Sequence, residues 1–363
     1  MGSAIVIGVA ADPALANRLK AQAYGLGFDL AGIARLGPAE TAPAFRDWVA
    51  KGYAGEMAYL PRGAEKRSDT RSPFPGAVSA LVVGLDYGGA SPPGTVARYA
   101  RGDDYHDIMW RKLDTLHEWV GHEVGRPVPG KSYVDTGPIL ERDLARRAGL
   151  GWFGKNTNLI NPGSGSFFFI GSLLLGIELE PDTPFEADRC GTCTRCLDAC
   201  PTDAFVEPRV LDAARCISYL TIEARGAIPV ELRESIGGLL YGCDICQDVC
   251  PWNVRFSRQL DEGSALAPRD VIAEKDAAAL AREILAMSQA DFSAAFRKSP
   301  MKRARLRGLK RNAAVVLGNV GSAGDVAVLA AAMSDEDPLV RDHAAWALER
   351  IDSLTAPESW STE

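Results

Sequence analysis

Histidine is nearly missing from this chain: there are four in 363 residues, at positions 106, 117, 122 and 343. So few, so scattered, exclude a metal centre built from histidines. Long apolar runs are missing as well. The most apolar stretch, Phe167 to Ile177, is about half of the ~20 residues that a membrane-spanning helix needs. That stretch and the N-terminal SAIVIGVAA run both read as buried strands. The N-terminal run has no basic flank and meets Asp12 and Pro13 at once, so no signal peptide is expected and the chain is placed in the cytoplasm. A positive global charge is absent too, since 40 Lys and Arg against 47 Asp and Glu leave −7. No overall field draws such a chain onto nucleic acid, and any site of that kind has to be a local patch.

Composition is otherwise that of a folded protein, 47% hydrophobic and 24% charged, at a length that suggests two or three domains. Residues 14–24 read as an amphipathic helix leading into a strand in FDLAGIARL. Ala80 to Leu85 reads as a second strand, and Asp107 to Val124 as a helix with Trp110, Leu113, Leu116 and Val120 on one face. A short strand at Lys131 to Asp135, a helix at Ile139 to Ala148 and a Gly- and Asn-rich loop at Gly149 to Gly165 follow. Then comes a strand pair in SFFFIGSLLLGIELE. The expected class is a multidomain α+β protein: an α/β or α+β domain over 1–180, a compact cysteine domain over 181–258, and an Ala- and Leu-rich helical region over 259–363. The end of the last region, DPLVRDHAAWALERI, has the pattern of a HEAT-type helical repeat.

All eight cysteines lie between 190 and 250, and none precedes Cys190. In a reducing compartment they point to metal rather than disulfides. Cys190, Cys193, Cys196 and Cys200 are spaced C-x2-C-x2-C-x3-C and followed by Pro201. Cys243, Cys246 and Cys250 precede Pro251, and Cys216 stands between the two motifs. This is the spacing of two-cluster ferredoxins, in which the last cysteine of each motif crosses to the other cluster. One 4Fe–4S cluster is then held by Cys190, Cys193, Cys196 and Cys250, the other by Cys200, Cys216, Cys243 and Cys246. A pair of zinc sites is the alternative, although zinc modules lack the C-x2-C-x2-C-x3-C-P run.

Single motifs elsewhere say little. Gly149 to Lys155 nearly spells a phosphate-binding loop, but Asn156 stands where Ser or Thr would ligate magnesium and a helix precedes it where a strand is needed. Asp104-Tyr-His106 lacks the Asp-x-His-x-x-Gly sequence of proteins that bind a corrinoid through histidine. Asp135 reads as well as a helix-capping aspartate ahead of Gly137 and Pro138 as it does an acid.

Longer segments together resemble one family. GEMAYL (55–60), ARYARGDDYHD (97–107), YVDTGPILERDLARRAGLGWFGKNTNLINPGSGSFFFIG (133–171), CISYLTIE (216–223) and YGCDICQDVCPWN (241–253) are similar, in order, to epoxyqueuosine reductase, the cobalamin- and iron–sulfur-dependent enzyme of tRNA queuosine biosynthesis. The resemblance implies a cobalamin-binding domain similar to that of reductive dehalogenases, a ferredoxin-like insert and a HEAT-like tail. It implies base-off cobalamin between the first domain and the clusters, with Asp135 facing the cobalt as proton donor. A carboxylate beside an apolar corrin would have its pKa raised by desolvation. By the same resemblance Ala97, Leu159, Ile170, Ser218, Cys243 and Asp244 are expected to touch the corrin.

The implied substrate is a tRNA with a GUN anticodon carrying epoxyqueuosine, and an external donor of the flavodoxin or ferredoxin type would reduce the clusters. No membrane is involved, and the chain is expected to be a monomer. A basic run fits the tRNA. Arg297 to Arg311 holds eight Lys or Arg in fifteen positions and no acid, which leaves −15 on the rest of the chain. Lys302, Arg303, Arg305 and Arg307 are its expected phosphate contacts, with Arg225 near the modified nucleotide. Two rivals remain: a corrinoid reductive dehalogenase acting on a small molecule, which has no need of a basic tail, and a ferredoxin-type electron carrier, which has no need of Asp135.

Overall fold

The computed structural model describes residues 13–355; the SAIVIGVAA run lies outside the described residues. A helix over Pro13–Gly25 leads to β1 (Leu30–Arg35), which pairs antiparallel with β2 (Ser79–Asp86). β3 (Gly130–Val134) follows the long helix Tyr105–Val124. After a small hairpin of β4 (Trp152–Phe153) and β5 (Leu159–Ile160) comes β6 (Phe168–Leu175). The four-stranded sheet runs β1-β2-β6-β3 with every pairing antiparallel, so the α+β alternative holds and a parallel α/β sheet does not.

Both faces of the sheet are covered. Leu81, Val83 and Leu85 of β2 face the Pro13–Gly25 and Tyr105–Val124 helices, while Ala80 and Val82 face the helix Glu141–Arg147. The long helix buries Tyr105, Met109, Leu113, Leu116 and Val120, spaced four, four, three and four apart, and Trp110 sits at the edge of that stripe. Asp104 caps its start, and Gly125 ends it at φ +71°.

SFFFIGSLLLGIELE does not form a strand pair. It forms one central strand with Gly171 in its middle, where a Cβ would lie 2.8 Å from Met109 Cε and 3.2 Å from Leu113 Cδ1. The glycine lets the long helix approach the sheet. Gly149 to Gly165 likewise is not a plain loop, since it folds back on itself through β4 and β5.

Short helices Arg195–Asp198 and Ile245–Asp248 carry the cysteine motifs. Beyond them Ala277–Ala286, Arg305–Val320, Val326–Ala332 and Pro338–Thr355 stack into a helical layer. The core of that layer also takes in Val96, Ala100, Leu240 and Tyr241, so the ARYARG and YGCDIC segments are seated against the tail. Among the described residues no helix is long and apolar enough to cross a membrane.

Candidate active site

Asp135 leaves the sheet at the end of β3. The register sets Val134 opposite Gly171, so the next residue emerges beside Ile170. Its backbone is in the left-handed region at φ +57°, a strained state for a residue with a Cβ and one that tends to mark functional sites. The capping reading fails, because the next helix begins only at Glu141 with Leu140 as its N-cap. Instead the Asp135 N–H donates to Glu141 Oε1 at 2.7 Å, and Tyr105 Oη donates to Asp135 Oδ2 at 2.9 Å. The Tyr105 ring is stacked on Phe169, with centroids 4.0 Å apart, so that donor is fixed. The carboxylate side chain is 66% exposed. The strand end therefore does not desolvate it, and any such effect has to come from what binds over it.

Half-buried Glu141 differs. Burial, and then the charge of Asp135, push its pKa from 4.5 up to about 8. Folding thus tightens its hold on a proton. The stability this contributes is complete below about pH 4.5 and is lost as pH rises through about 8. The ionised carboxylate accepts the Asp135 N–H more strongly than the acid does, so hydrogen-exchange protection of the Asp135 amide should rise as pH passes through about 8. The Glu141→Gln variant should lack that step.

The eight cysteines are free thiols. Burial pushes the Cys196 thiol up to about 11, with Cys250, Cys190 and Cys193 adding to the push. Cys250 is raised by burial and then by Cys190 and Cys193. Burial pushes Cys243 up to about 12, and its thiol neighbours are Cys216 and Cys200. Among the described residues no three Cys, His, Asp or Glu side chains close around a point where one metal ion would sit.

The loop that imitated a phosphate site serves the cysteines. Lys155 Nζ donates to the carbonyls of Gly191 and Cys193 at 2.8 and 2.9 Å, and Asn156 Nδ2 donates to that of Cys246 at 3.2 Å. Trp152 Nε1 donates to Cys190 Sγ at 3.5 Å. A hydrogen bond to a cluster sulfur stabilises the reduced state, so Trp152→Phe should lower the potential of the cluster that Cys190 serves, as read by a redox titration.

The residues expected around a corrin fall into two groups. Ile170 and Leu159 belong to one packed cluster, Leu159 buried and Ile170 partly open beside the exit of Asp135. Ser218 and Cys243 are partly open, whereas Ala97 and Asp244 are buried. Asp244 is already engaged, since its Oδ2 accepts from Arg98 N at 2.9 Å and from Arg98 Nη1 at 3.0 Å. Gly242, at φ +71°, has no room for a Cβ, which would meet that of Ala97 at 2.6 Å. A connected path runs from Asp135 through Tyr105, Tyr99 and Tyr241 to Gly242 and Cys243, with ring centroids 6.3 Å apart at each of its two aromatic steps.

The basic run is not uniform. Arg311 is buried and donates to the carbonyls of Leu220, Ala224 and Gly226, so it holds the fold together and reaches no ligand. Arg303 forms a two-pronged pair with Glu223, both bonds 2.8 Å, and Arg307 donates to the Arg225 carbonyl at 2.6 Å. Arg225 in turn donates to the Arg303 carbonyl at 2.9 Å. Lys302 and Arg305 are exposed and have no carboxylate partner among the described residues.

Comparison with known proteins decides the family. The model described as "Epoxyqueuosine reductase QueG, DUF1730" matches residues 67–136, that of a 4Fe–4S double cluster binding domain matches 189–253, and that of HEAT repeats matches 303–359. The epoxyqueuosine reductase of Xanthomonas campestris is 42% identical over 345 residues, which is 92% of this chain and 95% of that one. This chain belongs to the epoxyqueuosine reductase family. The Pseudomonas aeruginosa member is also 42% identical, over 93% of this chain and 95% of its own.

Two solved members of the epoxyqueuosine reductase family superpose over 93% of this chain and 90% of theirs at 32% identity. One, with a TM-score of 0.82, holds an epoxyqueuosine-modified tRNA-Tyr stem loop. The other, from Bacillus subtilis with a TM-score of 0.81, has its catalytic aspartate loop swung out of the active site. Membership makes this chain an oxidoreductase and makes 4Fe–4S clusters the occupants of its cysteine block.

Sequence reasoning gave no role to Tyr105, Glu141 or Tyr59, and weighed His106 only as a corrinoid ligand. Tyr59, in GEMAYL, is 41% exposed and lies 5.8 Å from the Arg303 guanidinium. Partial burial raises the pKa of its hydroxyl, and the charges of Glu223 and Asp135 add to that. One side chain thus lies within electrostatic reach of both the acid and the basic run.

Proposed function

We propose that this chain reduces epoxyqueuosine to queuosine at the wobble position of tRNA with a GUN anticodon. It does so as a cytoplasmic monomer, with electrons from a flavodoxin- or ferredoxin-type donor passing through two clusters to cobalamin. The observation that carries the reading is the meeting of three features around Tyr59: the Asp135 carboxylate, the Arg303 cation and an exposed aromatic ring. An anticodon base is unpaired, so it can be splayed onto such a ring without opening a duplex, and base–aromatic stacking contributes ~1–3 kcal/mol.

One cluster is assigned to Cys190, Cys193, Cys196 and Cys250, and the other to Cys200, Cys216, Cys243 and Cys246. The second, through Cys243, stands nearer the tyrosine path to Asp135. The fit to a corrin rests on partly open Ile170, Ser218 and Cys243, with Leu159 behind Ile170, and on the clearance that Gly242 leaves beside Ala97. Bound there, base-off cobalamin would supply the electron pair from its cob(I) state. The protein's own part is to exclude water, hold the base and deliver protons from Asp135, whose Oδ2 is steadied by Tyr105.

Lys302 and Arg305 are the foremost phosphate contacts, being exposed and without carboxylate partners among the described residues. Arg225, Arg303 and Arg307, locked to one another, shape the surface near the modified nucleotide. Reversing both free charges (Lys302→Glu with Arg305→Glu) should weaken tRNA binding and flatten its dependence on log salt by about 1.5, the release from two phosphates. Iron content should stay the same. An unchanged salt slope would move the tRNA surface elsewhere. The function itself is tested in cells that lack their own epoxyqueuosine reductase. Expression of this chain should convert the accumulated epoxyqueuosine in their tRNA to queuosine, and persistence of epoxyqueuosine would refute the reading.

A further inference from the structure

Removing the oxygen of an epoxide as water consumes two electrons and two protons: the two C–O bonds break, a C=C bond forms and the oxygen leaves as H2O. A carboxyl group carries one proton at a time. Asp135 alone therefore cannot complete a turnover unless it is recharged while the substrate is still bound. Three groups touch or approach it. Glu141 is turned to its backbone N–H. Tyr105 donates to Oδ2, but burial raises its pKa well above 10, so it keeps its proton. The third is His106.

The Nε2 atom of His106 is buried, has no hydrogen-bond partner among the described residues, and lies 4.0 Å from the same Oδ2 of Asp135. A shift of about an ångström by the exposed Asp135 side chain brings the two to hydrogen-bonding length. On the other side of the ring, Nδ1 is 2.7 Å from Asp104 Oδ1, which also caps the helix through the His106 N–H at 3.1 Å. Burial works to raise the pKa of Asp104, yet the two hydrogen bonds from His106 outweigh it and hold the carboxyl below its usual range. Asp104 is then an anion that fixes the proton on Nδ1 and leaves Nε2 as the atom that gains and loses one. Stacking on Tyr105, with centroids 4.1 Å apart, holds the ring in plane. Around the pair stand Tyr105, Asp135 and Glu141 on one side and Arg269 beyond Asp104.

We propose that Asp104 and His106 form a relay that recharges Asp135 within each turnover. This rests on the reductase reading above. Protonated His106 passes the proton on Nε2 to the Asp135 carboxylate once that group has given its first proton to the substrate oxygen. Asp135 then delivers the second as the oxygen departs in water. Between turnovers, with the site open, the Asp135 side chain, 66% exposed, takes protons from solvent and returns one to the buried Nε2. It is a positioning and supply residue that acts through Asp135.

The test uses the holoenzyme, pre-reduced, with saturating epoxyqueuosine tRNA in a single turnover. His106→Gln can still donate to Asp104 but cannot carry a proton. Its rate should fall about 10²-fold with tRNA affinity unchanged. Imidazole in the buffer should restore part of the rate to His106→Ala, which a loss of packing alone would not allow. A second readout needs no turnover: with the clusters oxidised, the NMR signals of the His106 ring should change in Asp135→Asn, because the carboxylate that faces Nε2 at 4.0 Å is replaced. The relay is overturned by a His106→Gln rate within two-fold of wild type, by absent imidazole rescue, or by His106 ring signals indifferent to Asp135→Asn. Wild type failing to convert epoxyqueuosine would instead defeat the functional reading.

Discussion

Asp135→Asn should keep both clusters, bound corrinoid and bound tRNA, and lose about 10²–10⁴-fold in the single-turnover rate of epoxyqueuosine reduction. The amide is nearly isosteric, can still accept the Tyr105 hydroxyl, and cannot act as an acid. A structural role would read differently. Asn tolerates the left-handed backbone that Asp135 adopts at φ +57° about as well as Asp does, so the fold should lose little. A rate within a few-fold of wild type would place the proton source elsewhere, in water or another acid.

Cys250→Ala should take the chain from about eight irons to about four. The lost cluster should be that of Cys190, Cys193 and Cys196, although Cys250 lies in the motif of Cys243 and Cys246. The thiols that add to the raised pKa of Cys250 are Cys190 and Cys193, whereas those of Cys243 are Cys216 and Cys200. Electron delivery from a protein donor should stop with it, because the relay then lacks one station. Spectroscopy that found damage confined to the cluster of Cys243 and Cys246 would contradict the crossed assignment.

How much was legible depended on how local the cause was. The cysteine motifs could be read because their spacing within one short loop already limits which thiols converge. The buried stripe of the Tyr105–Val124 helix could be read from its period. The apolar run Phe167 to Ile177 could be read as a buried strand, but the pair expected over SFFFIGSLLLGIELE proved a single strand, with Gly171 in its middle where Met109 Cε presses close. The charge run misled in another way. Its residues are equivalent in composition, yet Arg311 is sealed under the Ala224–Gly226 backbone while Lys302 and Arg305 stay free. Asp135 stood out in a long family-like segment, but its partners Tyr105 and His106 lie about thirty residues earlier in the chain and meet it only because the start of the long helix packs on the sheet, Tyr105 against Phe169. Lys155 resembled a phosphate ligand by sequence and proved to be a clasp on the cysteine loop.

The most direct test of the whole account is one anaerobic reaction. The purified chain, carrying about eight irons, would be mixed with excess reductant and tRNA bearing epoxyqueuosine, with and without added cobalamin, and the tRNA nucleosides weighed by mass spectrometry. The account predicts conversion to a nucleoside lighter by one oxygen, only where cobalamin is present. Equal conversion without cobalamin would contradict it, and so would no conversion with it.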